Sequence, residues 1–167
     1  MDFYIRPVNA GDGAGMNVIR RMNGVIENIL SLPSERITRN ESYIASMGEN
    51  KHSFVAVTKD SDGSETIIGC AVLSVSSIAR RRHSAGFGIM VHTDYQGMGV
   101  GTRLLEALLD IADNWLMLVR VELEVSADNE RAIALYKKLG FVIEGRKIKA
   151  SIRNGQYIDE YIMARVK

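Results

Sequence analysis

The stretch that decides the fold is Gln96-Gly97-Met98-Gly99-Val100-Gly101-Thr102. It follows an apolar run from Phe87 to Val91 and leads into a segment with helical spacing from Thr102 to Leu109. Glycines let a backbone approach a ligand closely, and the free N–H groups and dipole of a helix N-terminus favour an anion. A strand, a glycine-rich turn and a helix in that order therefore predict a phosphate-binding cradle at residues 97–102.

Three kinds of glycine-rich cradle compete for this stretch. A P-loop needs Gly-Lys-Ser/Thr, and no glycine of this chain is followed by lysine. A dinucleotide fingerprint needs G-x-G-x-x-G, but the third glycine is misplaced in both Gly97-x-Gly99-x-Gly101 and Gly11-x-Gly13-x-Gly15. The third pattern, Gln/Arg-x-x-Gly-x-Gly/Ala, is matched completely by Gln96-x-x-Gly99-x-Gly101.

This third pattern resembles the pyrophosphate-binding signature of the GNAT superfamily of acyl-CoA-dependent N-acyltransferases. A second motif supports the resemblance, because residues 129–141, NERAIALYKKLGF, are similar to the family pattern N-x-x-A-x-x-L-Y-x-x-L-G-F. This motif follows the glycine turn by one strand, as it does in the family. The resemblance covers about residues 4–166 and implies an N-acetyltransferase that uses acetyl-CoA as co-substrate and a small primary amine as acceptor.

The order of predicted elements is a strand, two helices, a three-strand meander, a helix, a strand, a helix and a β-hairpin. This order predicts an α/β protein with an α+β mixed sheet of about seven strands and four helices, in one domain over residues 1–167. The predicted strands are 3–8, 54–59, 66–76, 84–91, 119–125, 141–152 and 157–164, and the predicted helices are 12–30, 34 or 38 to 47, 97–115 and 129–139. The resemblance implies that strands 84–91 and 119–125 splay apart around the pantetheine arm.

The resemblance also assigns roles to the residues around the glycine turn. The backbone N–H groups of residues 97–102 should hold the pyrophosphate, and Gln96 should brace the turn, while the side chains of Met98 and Val100 pack. The backbone of Ile89, Met90 and Val91 should pair with the pantetheine amides as an added strand would. One of these N–H groups would then face the thioester oxygen and stabilise the oxyanion.

Asn129 and Tyr136 are seven residues apart, which is roughly two helical turns, so they share a helix face. By resemblance, Asn129 contacts the cofactor, and Tyr136 protonates the departing CoA thiolate as a general acid. The structural alternative for Tyr136 is a core tyrosine whose hydroxyl has a hydrogen-bond partner.

The sequence leaves the general base open. An α-amine with a pKa of about 8 is partly neutral at pH 7, so a strong base is not essential. Glu122 and Glu124 lie on the strand face opposite Val121, Leu123 and Val125, and they are either base candidates or part of a solvated face. His83 and His92 are also candidates, although such a histidine is more often a loop residue than a base.

The second half of the chain resembles the bacterial L-amino-acid N-acetyltransferase branch. The segments that carry this likeness are 113–116, 136–138, 143–145, 153–155 and 161–167. The likeness implies that the acceptor is a free amino acid such as phenylalanine or methionine, whose carboxylate needs a cation. Arg36, Arg39, Arg81 and Arg153 are candidates for that cation, and the sequence does not choose among them. A protein N-terminus as acceptor and a non-catalytic acyl-CoA sensor are the alternatives.

Composition excludes several other classes. The 167 residues carry a net charge of +1, which argues against bulk nucleic-acid binding. The one cysteine, Cys70, is expected to be a buried thiol, and histidine and cysteine are too sparse for a metal site. No signal peptide or membrane span is visible, so we expect a cytoplasmic protein. The basic run from Arg80 to His83 fits a solvated turn or an anion contact, and the C-terminal hairpin leaves a homodimer open.

Overall fold

The structure is a computed structural model that describes residues 2–167, and it is built on one seven-stranded sheet. The strands are β1 Tyr4–Pro7, β2 Lys51–Lys59, β3 Glu65–Val75, β4 Ser84–Val91, β5 Arg120–Ser126, β6 Val142–Arg153 and β7 Gln156–Val166. The helices are α1 Gly13–Arg20, α2 Arg39–Ala45, α3 Val100–Asp110 and α4 Glu130–Lys138. The element order and the mixed α/β fold class are those predicted from the sequence.

The sheet divides where β4 meets β5. The strand order is β1-β2-β3-β4-β5-β7-β6, and all neighbours are antiparallel except β4 and β5. These two parallel strands pair only over Ser84–Gly86 and Arg120–Glu122. Beyond Gly86 the two strands pair no further, which confirms the predicted splay and leaves a gap in the sheet.

The alternation along β5 gives the sheet two different faces. Val121, Leu123 and Val125 are buried in the main core with α3 and α4, whereas Glu122 and Glu124 are exposed on the opposite face. Helix α3 adds a buried stripe at helical spacing, made of Val100, Leu104, Leu105, Leu108 and Leu109.

A second, smaller core covers the other face of the sheet. Met16 of α1 packs there with Val55, Val57 and Cys70. Burial raises the pKa of the Cys70 thiol to about 12, so this cysteine is a protonated core residue, as expected.

The predicted helix over 12–30 is wrong beyond Arg20. Helix α1 ends there, and Gly24 adopts a left-handed conformation with φ of 84°. A left-handed residue cannot continue a right-handed helix, so the chain turns and forms only a single 3-10 turn at Ile26–Asn28. The segment 23–33 is therefore a loop, which we call the α1 loop. Helix α3 likewise begins at Val100, three residues later than predicted.

The C-terminal hairpin turns where the sequence predicts it. Asn154 and Gly155 have φ of 50° and 77°, the left-handed pair that a two-residue hairpin turn requires. Ile148, Ile152 and Tyr157 are exposed near its tip. Self-association through this hairpin stays a prediction.

Candidate functional site

A cleft of about 510 Å³ opens where β4 and β5 diverge, and we call it the splay cleft. Its walls are β4, the glycine turn, β5, α4 and the α1 loop. All of the predicted site residues except Met98 and Val100 line it: Ile89, Met90, Val91, Gln96, Gly97, Gly99, Gly101, Thr102, Asn129 and Tyr136. The structure thus brings the two sequence motifs to opposite sides of one cleft.

The two residues outside the cleft differ from each other. Val100 is 1% exposed and packs in the main core, as predicted for its side chain. Met98 is 54% exposed, so the prediction that it packs is wrong. It lies between Gly97 and Gly99, whose left-handed backbones, with φ of 77° and 86°, form a tight turn at the protein surface.

The glycine turn presents a row of free backbone donors. The first N–H group that bonds within α3 is that of Arg103, which donates to the Gly99 carbonyl at 3.0 Å. In the described part of the chain, the N–H groups of residues 97–102 donate to no protein acceptor. Gln96 ties the start of the turn to the end of β4, because its Nε2 donates to the Val91 carbonyl at 3.0 Å. This arrangement of free N–H groups at a helix N-terminus is typical of an anion-binding nest.

Gly101 is needed for a different reason. A Cβ at this position would lie 3.3 Å from Leu135 Cδ2 on α4. The missing side chain therefore lets the first turn of α3 approach α4, which narrows the splay cleft at the end where the free donors lie.

The side chain of Asn129 is engaged in bonds to the protein. Its Oδ1 accepts the Ala132 N–H at 3.2 Å and caps α4, and its Nδ2 lies 3.3 Å from Asn28 Oδ1. Asn129 thus fixes both the start of α4 and the α1 loop across the cleft. Its predicted contact with the cofactor stays a prediction.

Tyr136 lies in the wall of the splay cleft on α4. It is 7% exposed, and its ring packs edge-on against Phe87 and Phe141. Burial raises the pKa of its phenol to about 12, so the hydroxyl stays protonated at neutral pH. No protein group of residues 2–167 bonds to this hydroxyl. A protonated phenol without a protein partner can donate a proton to a group in the cleft.

A second cleft, of about 610 Å³, lies beside the first, and we call it the loop cleft. Its walls are the α1 loop, the end of β5 and the tip of the C-terminal hairpin. Asn28, Ile29 and Glu124 line both clefts, so the two are adjacent at these residues. Four charged side chains line the loop cleft: Glu27, Glu124, Arg153 and Glu160.

Of the four candidate bases, only Glu124 lines the clefts. Glu124 lines both clefts and bonds to Lys147 Nζ. Glu122 pairs with Arg120, with 2.6 Å between Oε2 and Nε, and lines neither cleft. His83 and His92 also lie outside the two clefts, and His92 Nδ1 accepts the Asp94 N–H at 3.2 Å.

The candidate cations are separated in the same way. Arg153 lines the loop cleft and bonds to Asp128 on its outer side. Arg36, Arg39 and Arg81 line neither cleft. The basic run that contains Arg81 forms an exposed 3-10 turn ahead of β4.

The α1 loop contributes to the splay cleft, and this was not predicted from the sequence. Gly24, Val25, Asn28 and Ile29 line the splay cleft, but the helical spacing of the apolar residues placed them inside a helix. The Asn23-Gly24 dipeptide is a turn signal that could have indicated a break here.

Two negative findings apply to residues 2–167. They contain no group of three or more His, Cys, Asp or Glu side chains placed to bind a metal ion. None of their helices has the length and apolar character required to cross a bilayer.

Comparison with known proteins bears directly on this site. The model of the Acetyltransferase (GNAT) family matches residues 26–141. The L-amino acid N-acetyltransferase AaaT of Escherichia coli (strain K12) is 45% identical over 101 residues, which are 60% of this chain and 62% of that protein. The spermidine N(1)-acetyltransferase of the same strain is 36% identical over 86 residues, 52% of this chain and 45% of that enzyme. These matches span less than two thirds of either relative.

The whole fold has a counterpart among solved structures. The spermidine N-acetyltransferase from Vibrio cholerae in complex with CoA and spermine superposes with a TM-score of 0.82 and 26% identity, covering 98% of this chain and 95% of that one. That residues 1–167 form a single domain stays a proposal, because the family model spans only residues 26–141. The chain belongs to the GNAT family of acetyltransferases, enzymes that use acetyl-CoA as co-substrate.

Proposed function

We propose that this protein transfers the acetyl group of acetyl-CoA to the α-amine of a free L-amino acid with an apolar side chain, such as phenylalanine or methionine. The observation that carries the proposal is that two clefts of different character meet at Glu124. The splay cleft has the donors for a pyrophosphate, and the loop cleft has charged and apolar groups for an acceptor. The 45% identity to an L-amino acid N-acetyltransferase supports the same substrate class.

The cofactor occupies the splay cleft in this proposal. The six N–H groups of residues 97–102 bind its pyrophosphate at the start of α3, where the helix dipole also favours negative charge. Beyond Gly86, the β4 edge that faces β5 makes no ladder bonds to it, so Ile89 and Val91 present backbone groups to the pantetheine amides. The prediction that Met90 does so is wrong, because its backbone faces Cys70 of β3, in the same register in which the His92 N–H donates to the Ile68 carbonyl. A β4 N–H group near the thioester stabilises the oxyanion.

The reaction is a direct attack of the amine on the thioester. The nitrogen lone pair forms a bond to the carbonyl carbon, and the π electrons move to the oxygen. When the carbonyl re-forms, the C–S bond breaks and the thiolate takes a proton from Tyr136 Oη. Glu124 accepts the proton of the amine nitrogen through water, and solvent returns a proton to Tyr136, so the products are the amide and CoA thiol.

The acceptor occupies the loop cleft. Arg153 supplies the cation for its carboxylate, since Asp128 takes only one nitrogen of the guanidinium. Ile29, Leu30 and Leu32 of the α1 loop supply an apolar wall for its side chain. An apolar wall next to an arginine suits the side chain and the carboxylate of an amino acid.

The experiment is to measure thiol release from acetyl-CoA against free amino acids, polyamines, aminoglycosides and peptides with free N-termini. Turnover with phenylalanine or methionine above that with spermidine supports the proposal. A preference for spermidine or for a peptide overturns the substrate class. Tight CoA binding without turnover on any amine would replace the enzyme with an acyl-CoA sensor.

A further inference from the structure

The loop cleft contains one carboxylate that has no partner. Glu160 is 7% exposed, lines the cleft from β7, and makes no hydrogen bond or ion pair within residues 2–167. A largely buried carboxylate that opens only into a cleft and has no direct partner is available to bind a cation there. Glu160 is therefore the group in this cleft that requires an explanation.

The other charged groups of the cleft are already engaged. Glu27 accepts the Gly24 N–H at 2.6 Å, and Arg153 bonds to Asp128. Glu124 bonds to Lys147.

Lys147 forms an ion pair with Glu124, and Glu160 is therefore left without a direct ion pair. Lys147 is the residue opposite Glu160 in the β6–β7 ladder, and it is the cation that could have neutralised it. Its ammonium lies on Glu124 instead. Ser126, the neighbour of Glu160 on β5, is uncharged. The sheet thus provides a largely buried carboxylate that has no direct ion pair, although the Lys147 ammonium is near enough to interact with it electrostatically.

We propose that Glu160 binds the ammonium group of the acceptor in the loop cleft. This inference deepens the proposed function and rests on it for the identity of the reaction. The ligand class is a primary ammonium that carries an apolar group, because Ile29, Leu30 and Leu32 form the wall on the α1 loop side. Arg153 borders the same cleft, so a zwitterion meets one opposite charge for each of its own.

The binding step also sets the order of events. The acceptor enters as an ammonium on Glu160, and before attack it passes one proton through water to Glu124 at the junction of the clefts. Glu124 releases this proton to solvent and can then take the second proton from the attacking nitrogen. Glu124 and Glu160 lie on neighbouring strands, where Glu160 faces Ser126, two residues after Glu124. A single amine can therefore move from the binding carboxylate to the base.

The test uses equilibrium binding, which does not depend on turnover. Phenethylamine has the ammonium and an apolar group but no carboxylate, and 3-phenylpropionate has the carboxylate but no ammonium. Each compound is titrated into the CoA-loaded protein by calorimetry. We expect Glu160→Gln to lower the affinity for phenethylamine at least about tenfold. The affinity for 3-phenylpropionate should stay equal or increase, and the affinity for CoA should not change. The matched control is Glu106→Gln on the exposed face of α3, which should change none of the three affinities.

Two further readouts keep the proposal falsifiable. Removal of an unpaired buried charge should leave the melting temperature of the ligand-free protein unchanged or raise it. Glu160→Asp, which keeps the charge but shortens the side chain, should bind phenethylamine with intermediate affinity. Unchanged phenethylamine binding in Glu160→Gln, or no binding to the wild type, overturns the role of Glu160. Silence of the acetylation assay with normal phenethylamine binding would instead overturn the proposed function alone.

Discussion

Phe87 on β4 and Tyr136 on α4 meet edge to face, with their ring centroids 5.5 Å apart and their planes at 74°. The two residues come from opposite walls of the splay cleft, so this contact fixes the phenol ring relative to the strand that is expected to hold the pantetheine. Edge-to-face pairs have a preferred geometry, and the ring therefore has little freedom to turn away from the cleft.

Removal of the Tyr136 hydroxyl tests the general acid. Tyr136→Phe keeps the aromatic contacts, so acetyl-CoA affinity should change by less than about twofold, whereas kcat should fall by roughly 10²-fold or more. Because burial raises the pKa of this phenol to about 12, the wild type should show no loss of activity from its ionisation between pH 6 and 10. Steady-state kinetics with Tyr43→Phe as control would check this, and wild-type turnover in Tyr136→Phe would remove the role.

The role of the left-handed turn at Gly99 is tested by introducing a side chain that disfavours this backbone conformation. Gly99 has φ of 86°, where an L-residue costs about 1–2 kcal/mol and a β-branched one at least as much. Gly99→Val should therefore displace the N–H groups and lower the affinity for acetyl-CoA about tenfold, which corresponds to a loss of about 1.4 kcal/mol in binding free energy. Gly48→Val is the control, because Gly48 is exposed with open space around it and lacks a positive φ. Equal affinity in both variants would show that the cradle lies elsewhere.

The base is tested by two glutamates on one strand. Glu124→Gln should lower kcat/KM by roughly 10²-fold, because Glu124 lies at the junction of the clefts. Glu122→Gln should have little effect, since Glu122 pairs with Arg120 outside both clefts. The loss in Glu124→Gln should shrink at higher pH, where more of the free amine is neutral. A pH–rate profile of both variants decides the matter, and similar losses in both would exclude Glu124 as the base.

Asn129 is tested as a cap and as a tie to the α1 loop. Asn129→Ala should lower the free energy of unfolding by about 1 kcal/mol, because the Ala132 N–H loses its acceptor. Asn129→Ser should keep most of this stability while it loses the bond to Asn28. Urea unfolding of the two variants provides the comparison, and equal stability of Asn129→Ala and the wild type would contradict the capping role.

The stability of the fold should depend on pH through Asp113. Arg165 donates two hydrogen bonds to this carboxylate, each with an N···O distance of 2.8 Å. These bonds hold the pKa of the carboxyl below its ordinary value of 3.8. The ionised carboxylate therefore stabilises the fold fully above about pH 4, and this contribution is lost as pH falls through the folded-state pKa. Asp113→Asn should cost about 1–3 kcal/mol at pH 7 and progressively less below pH 4.

Urea titrations between pH 3 and pH 7 would measure this dependence. The exposed Asp2 provides the control, and Asp2→Asn should cost little at any pH in the range. A cost for Asp113→Asn that stays constant down to pH 3 would show that the ion pair is not its source.

Most of the fold could be predicted from the sequence because its signals are local. The alternation of Val121, Leu123 and Val125 with glutamates defines a strand with two different faces, and the glycines at 97 and 99 define a turn that other residues adopt at a cost. The end of α1 was missed because the apolar spacing continued past Arg20, although the left-handed Gly24 prevents the helix from extending to residue 30.

For the candidate site too, the residues within each motif could be predicted, whereas their contacts with distant segments could not. The motif residues Gly99 and Tyr136 were predicted as site residues because the two motifs resemble those of the family, and both residues line the splay cleft. The partners of these motifs were not identified, since Asn28 bonds to Asn129 across 101 positions of the chain. No sequence pattern indicates which α1 loop residue meets which helix.

The sequence by itself determined the order of the seven strands and four helices, because strand and helix periodicity depend on near neighbours in the chain. Its two motifs carried the resemblance to the family. Only the tertiary structure decided which glutamate lies at the junction of the clefts, which arginine borders the loop cleft, and that Glu160 has no direct ion pair. The physical reason is that burial and ion pairing depend on the register of β5, β6 and β7, and register is set by contacts between distant segments.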